Sequence, residues 1–297
     1  MRVTLPIPSG DVGFVEEIWA RSFKPWKGPP HRHAELELNL VLSGHAVYLV
    51  RDRQPRGRRR SLGSNRISIS ADTILWLFPS QEHMLVECSS NFHMMVAVFR
   101  PTLVDSVCGT DERLCALRSK NGLAESTRIV SKAARGRLAP LMASLTSAAT
   151  SDAATTAAER DWGMRWLLAS AWRAYEAASA APSTDDVHPA VERAAFLLRD
   201  DPGEFDLALL ARRAGVSPAW LSRLFQKQLG MSVTEFRNRQ RVARYLALPR
   251  AGSRQTLTAA AFTAGFNSYA QFYRVFRAFT GLSPADYQAQ LGDAPGS

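Results

Sequence analysis

Cysteine is scarce in this chain. Three occur in 297 residues, Cys88, Cys108 and Cys115, and none forms a CxxC pair. That excludes a disulfide framework or a cysteine metal knuckle and fits a reducing cytoplasm. Long apolar runs are missing too: no stretch of about 18 uncharged apolar residues exists, so no membrane span is expected. Near the start, Asp11, Glu16 and Glu17 interrupt any apolar segment, which argues against a secretory signal. Acidic residues are also in the minority, 27 against 37 basic ones, for a net charge of +10.

That charge is unevenly placed. Arg51 to Arg66 alone holds seven arginines and one aspartate, and outside this run residues 1–189 are slightly acidic. The remaining excess lies beyond Ala190, where a basic end domain suits a polyanion partner through counterion release. The run RDRQPRGRRR (Arg51 to Arg60) reads as a long solvated hairpin loop from its Pro, Gly and charge content. With 46 % apolar and 22 % charged residues, the chain has an ordinary globular composition and a length suited to two domains.

Three textures follow one another. Residues 1–100 carry short apolar runs such as ELELNLVLSG (Glu35 to Gly44), TILWLF (Thr73 to Phe78) and FHMMVAVF (Phe92 to Phe99). Many such strands with short turns argue for a barrel or a double sheet. Residues 101–178 turn helical, with Trp162, Trp166, Ala169 and Trp172 forming an expected apolar stripe for packing or self-association. The small, polar stretch AASAAPSTDD (Ala177 to Asp186) is the best domain boundary. The expected organisation is therefore a front domain 1–180, a linker 181–188 and an end domain 189–291.

The end domain contains an internal repeat. LARRAGVSPAWLSRLFQKQLGMSVTEF (Leu210 to Phe236) aligns with AAFTAGFNSYAQFYRVFRAFTGLSPADY (Ala260 to Tyr287) after one residue is added to the second turn. Ala211-x3-Gly215 matches Ala261-x3-Gly265, and Leu221, Arg223, Phe225 and Gly230 match Phe272, Arg274, Phe276 and Gly281. Each copy reads as a short helix, a positive-φ glycine turn and an amphipathic second helix. Ser217 is a natural N-cap with Pro218 at the first helical position, and Asn267 or Ser268 fits that place in the second copy. The face left outward is Ala219, Trp220, Ser222 and Arg223 in one, and Ala270, Gln271, Tyr273 and Arg274 in the other. Side chains able to bond bases or phosphates near a helix start are what entry into a DNA groove requires.

The motifs LARRAGVSPAWLSRLFQKQLGMS and AGFNSYAQFYRVFRAFTGLSPADY resemble the DNA-binding domain of AraC/XylS-type transcriptional regulators. The resemblance implies two helix-turn-helix units whose second helices read successive major grooves. It implies an α+β two-domain chain with a cupin-like N-terminal β-barrel, following helices and an all-α end domain. It also implies a cytoplasmic homodimer on promoter DNA, a small-molecule effector, contact with RNA polymerase, and activation more often than repression. Tyr245 departs from the pattern, standing where the linking helix usually has a small alanine, and Pro249 ends that helix where leucine is common.

In the front domain His31-x-His33-x3-Glu37, with His83 in LFPSQEH, is similar in spacing to the cupin metal motifs, although the second motif lacks its glycine. His31, His33 and Glu37 alternate along an extended chain, so they share a face on which His83 can converge. Three imidazoles and a carboxylate suit a transition metal. Sensor barrels of the resembled family keep such a trace without metal, so no metal and no cofactor are expected. His31, His33, Glu37, His83 and Trp76 stand instead as effector-site candidates, with Phe78, Leu38, Leu40, Met95 and Val47 lining a pocket or core. The expected function is a small-molecule-responsive transcription factor without enzymatic activity. The alternatives are a metal-dependent cupin enzyme fused to a DNA-binding domain, and a ligand-independent dimeric regulator.

Overall fold

The computed structural model describes residues 7, 10–19, 33–51, 65–79, 81–109, 112–119, 126–146, 156–180, 185–200, 203, 205–246, 248 and 256–292. These fall into two compact units, one running to Val187 and one from His188 onward. No helix among them is long and apolar enough to cross a membrane.

Among the described residues the first unit has ten strands: β1 (Gly13–Trp19), β2 (Leu36–Ser43), β3 (His45–Arg51), β4 (Asn65–Ser70), β5 (Thr73–Leu77), β6 (Glu82–Cys88), β7 (His93–Phe99), β8 (Thr127–Ile129), β9 (Ser179–Ala180) and β10 (Asp185–Asp186). They form two antiparallel sheets, ordered β1-β7-β2-β5-β8-β9 and β10-β4-β3-β6. The barrel expected from the sequence is not closed: no ladder joins the two sheets among the described residues.

The reason lies at the corners. Only Gly44 separates β2 from β3, too short a link for a hairpin, and its φ of +73° turns the chain out of one sheet into the other. The chain crosses back at Ala71–Asp72, with Asp72 at φ +69°. The two corners are bonded to each other, Ala71 N–H to Gly44 C=O at 3.1 Å and Asp72 N–H to Val41 C=O at 3.0 Å.

The described residues of this unit also form helices α1 (Pro101–Cys108), α2 (Ala116–Ser119), α3 (Lys132–Ser144) and α4 (Ala157–Glu176), with a 3-10 turn at Glu112–Cys115. Thr156 and Glu159 form a reciprocal capping box at the start of α4. Leu38, Leu40, Trp76, Met95 and Phe99 pack with Leu103, Leu168, Trp172 and Tyr175 in one apolar core between the first sheet and the helices. Trp76 lies 6.0 Å from Trp172 and 6.3 Å from Phe99, ring to ring.

Three sequence expectations change here. The stretch 101–178 is not purely helical, because β8 inserts beside β5. Trp162, Trp166 and Trp172 do not share a face: Trp172 is buried, whereas Trp162 and Trp166 are 71 % and 60 % exposed. At 3.6 residues per turn, six positions carry Trp172 roughly a third of a turn from Trp166. Within the expected linker, Asp185 and Asp186 pair with Arg66 and Asn65 of β4. Residues 52–60 of the arginine run lie outside the described residues; Arg51 ends β3 and meets Glu82 at 3.3 Å.

The second unit is helical: α5 (Pro189–Asp200), α6 (Leu207–Ala214), α7 (Pro218–Leu229), α8 (Val233–Leu246), α9 (Leu257–Thr263), α10 (Tyr269–Thr280) and α11 (Pro284–Gly292). Helix α8 is shared between two clusters. Near its start Phe236 meets Phe225 of α7, and near its end Tyr245 packs on Phe272 and Phe276 of α10. At 1.5 Å per residue, these anchors are about 13 Å apart along the helix. Tyr245, the departure noted above, is buried and fills the space among the α10 aromatics.

Candidate nucleic-acid interface and the histidine cluster

The repeat in the second unit extends to its hydrogen bonds. Helix α6 starts on Asp206, whose carboxylate accepts from Leu209 N–H at 2.7 Å; α9 starts on Thr256, accepting from Ala259 N–H at 3.2 Å. Both helices end in a Schellman turn. In one, Val216 N–H bonds Ala211 C=O at 3.0 Å and Gly215 N–H bonds Arg212 C=O at 3.1 Å; in the other, Phe266 N–H bonds Ala261 C=O at 3.1 Å and Gly265 N–H bonds Phe262 C=O at 2.9 Å. Gly215 and Gly265 take φ of +78° and +94°. Arg193 of α5 also donates to Ala214 C=O, closing the end of α6.

Serine hydroxyls then open the second helices. Ser217 accepts from Trp220 N–H and Ser268, rather than Asn267, accepts from Gln271 N–H. A cap of this kind contributes about 1 kcal/mol. Beyond α7 and α10 the match continues: Gly230 and Gly281 stop the helices at φ of +71° and +75°, and Ser232 and Ser283 cap the next ones. Phe225 meets Phe236 at 5.6 Å and 76°, and Phe276 meets Tyr287 at 5.5 Å and 78°. This edge-on contact was not anticipated from the sequence, although the spacing Phe225 to Phe236 and Phe276 to Tyr287 carried it.

With Leu221, Leu224, Phe225, Phe272 and Phe276 buried, the outward faces follow. On α7, Ala219, Trp220 and Arg223 are exposed and Ser222 is half-buried; on α10, Ala270, Tyr273 and Arg274 are exposed and Gln271 is half-buried. The Arg223 guanidinium sits over the Trp220 ring at 5.2 Å, which restrains both side chains. Arg241 of α8 is buried instead, 5.7 Å over Phe266. Burial, with the charge of Arg237, pulls its pKa below the usual arginine value.

The first unit gathers a different set. His33, Glu37 and His83 are all buried, with one donor atom from each lying within 4.8 Å of the others. Glu37 Oε2 lies 3.3 Å from His33 Nε2 and 3.7 Å from His83 Nε2. Its other oxygen accepts from Asn39 Nδ2 at 2.9 Å, and Asn39 in turn accepts from the Tyr48 hydroxyl at 3.3 Å. Burial pushes the Glu37 carboxyl up, but the His33 hydrogen bond, the charges of His83 and His33, and the Asn39 bond outweigh it and hold it at about 2. Burial likewise depresses His33, and the bond to Glu37 with the charges of Glu37 and Glu35 raises it above the ordinary value overall.

His31 lies outside the described residues. Trp76 does not join the cluster. It pairs with Leu38 across β2 and β5, while Glu37 pairs with Leu77, so alternation places Trp76 on the opposite face of the sheet. There it belongs to the filled core, its indole N–H buried with no acceptor among the described residues. Leu38, Leu40, Phe78 and Met95 are part of that core, and Val47 is buried.

A family model described as a helix-turn-helix domain matches residues 210–290. The arabinose operon regulatory protein of Salmonella typhimurium is 36 % identical over 85 residues, covering 29 % of this chain and 30 % of that protein. Its Escherichia coli counterpart is also 36 % identical over 85 residues, covering 29 % of each. The chain thus spans less than a third of the length of the curated relatives it matches. Among solved structures, ToxT from Vibrio cholerae aligns over 95 % of this chain and 98 % of its own at 15 % identity, with a TM-score of 0.40. The C-terminal domain of AraT, a response regulator from Geobacillus stearothermophilus, aligns over 36 % of this chain and 88 % of its own at 24 % identity, with a TM-score of 0.32.

Proposed function

We propose that this chain, whose C-terminal unit carries an AraC-type helix-turn-helix domain, is a sequence-specific transcriptional regulator that reads promoter DNA with α7 and α10. The observation that carries this reading is the doubled turn geometry: the same Schellman turn and serine cap precede both helices and turn one face of each outward. The α6–α7 and α9–α10 pairs are then two helix-turn-helix units. Ala219, Trp220, Ser222 and Arg223 of one, and Ala270, Gln271, Tyr273 and Arg274 of the other, face base edges and phosphates. The two faces differ chemically, so the bound site is asymmetric within one domain.

In this reading the first unit senses a small molecule and pairs with a second copy, and the chain performs no catalysis. Promoter activation through RNA polymerase is the outcome. Exposed Trp162 and Trp166 on α4 support the pairing. Selection from randomised duplexes tests the DNA reading: enrichment of one asymmetric sequence is expected, and an unenriched pool overturns it. Sedimentation of the wild type and a Trp162→Ser/Trp166→Ser variant tests pairing, with a dimer that weakens in the variant as the expected result.

A further inference from the structure

At the end of α1 two cysteines bond to each other's surroundings. Cys108 is the last residue of the helix, where a carbonyl has no partner within the helix. The Cys115 thiol donates to that carbonyl at 3.5 Å. In return the Cys108 thiol donates to the carbonyl of Leu114, the residue before Cys115, at 3.0 Å. In a planar trans peptide a carbonyl oxygen lies within about 3 Å of its own Cα and of the next one. Each sulfur therefore stands within about 6 Å of the other cysteine's Cα, the scale on which disulfides join Cα atoms about 4.4–6.8 Å apart.

The two thiols differ in access. Cys108 is buried in the helix-side core with Leu103, Leu114 and Leu117, whereas Cys115 is half-buried. Burial pushes the Cys108 thiol up, against the pull of the Arg118 guanidinium, so Cys115 is the sulfur that a dissolved oxidant meets first. The turn between them is held on α4, where the Trp172 indole N–H donates to Arg113 C=O at 3.1 Å. Cys88 stands apart on β6, in the second sheet. Two reduced thiols paired in this way, one open to solvent and one behind it, have the layout of a reversible redox pair rather than a structural staple.

We propose that Cys108 and Cys115 are an oxidation site, closed by a hydroperoxide to a disulfide within the chain and reopened by a dithiol. The peroxide gives one oxygen to Cys115 Sγ, forming a sulfenic acid and releasing water or an alcohol. Cys108 Sγ then attacks that sulfur, the S–S bond forms, and the hydroxyl leaves with the Cys108 proton as water. The two thiols lose two electrons, which reduce the O–O bond. A dithiol reverses the step by thiol–disulfide exchange and is itself oxidised. The site stands whether or not the second unit reads DNA.

The test treats the folded, reduced full-length chain with hydrogen peroxide, alkylates the remaining thiols and maps tryptic peptides by mass spectrometry. Trypsin cuts after Arg113, so Cys108 and Cys115 fall in separate peptides. The expected product is those two peptides joined, lighter by two hydrogens, and released by dithiothreitol. Cys88→Ser should behave as the unsubstituted chain does. Cys108→Ser should lose the link and leave a sulfenic acid on Cys115 that dimedone captures. If Cys108→Ser does not fold, Cys115→Ser, at the more open position, carries the comparison, and Cys108 should then stay a thiol. A link that forms only after unfolding in urea, a link to Cys88, or Cys115 driven to sulfinic acid with no link overturns the proposal.

Discussion

Replacing Gly215 by alanine isolates the conformational cost of the turn that delivers α7. A Cβ built at Gly215 meets only the Arg193 guanidinium, at 3.5 Å, an ordinary contact with the end of a flexible side chain. Steric clash therefore contributes little. What remains is holding an alanine at φ +78°, which costs about 1–2 kcal/mol. Hydrogen exchange read on α6 and α7 peptides suits a two-unit chain, where one global unfolding energy is not defined. The exchange of these amides should accelerate about 5- to 30-fold, the equivalent of that energy, while peptides of the first unit stay unchanged. Gly215→Asn should recover a large part, because asparagine tolerates the left-handed region. Acceleration below about threefold, or an asparagine variant as impaired as the alanine one, would refute the reasoning.

Other perturbations separate the remaining parts of the account. Gly44→Ala should cost more, about 2–5 kcal/mol in the first unit by exchange, because its Cβ would lie 2.7 Å from Phe92 Cα on top of the same backbone strain. Tyr245→Ala should destabilise the α8–α10 cluster by about 3–5 kcal/mol. Tyr245→Phe should cost far less, about 1 kcal/mol, the size of a single hydrogen bond such as the long one of 3.4 Å that the hydroxyl accepts from Gln288 Nε2; urea unfolding followed by α10 exchange checks both. Arg223→Ala and Arg274→Ala should each lose about 1–3 kcal/mol on the selected DNA site with relaxed specificity at one position, measured by competition binding. An equal loss on every sequence would reassign them to phosphate contacts.

The C-terminal unit was largely legible from its repeat. Ala211, Gly215, Phe225 and Gly230 and their counterparts predicted the turns and buried faces, because caps and glycine turns are local and leave residue-type signatures. The spacing of His33 and Glu37 put them on one face of an extended chain, and their meeting with His83 was legible only as a motif, since Glu37 stands on β2 and His83 on β6 of the other sheet. The front sheets were not. Whether β3 continues the sheet of β2 or leaves it is decided at Gly44 and Asp72, single residues that look like any turn. Alternation placed Trp76 on one face of its strand without saying which, and the helix core claimed it. Periodicity grouped Trp172 with Trp166, yet α4 buries the Met164, Leu167, Leu168 and Ala171 side and leaves Trp166 outside. Tyr245 was noticed as a departure, but its accommodation among Phe272 and Phe276 depends on packing across helices distant in sequence.

In the proposed function α7 and α10 together read one DNA sequence. The most direct measurement is the affinity of the chain for its selected duplex and for bulk DNA over a range of salt concentrations. The expected result is a selected site bound at least about a thousandfold more tightly than bulk DNA at physiological salt, with Arg223→Ala and Arg274→Ala each eroding that ratio. Equal affinity for every duplex, falling with salt alone, would contradict it.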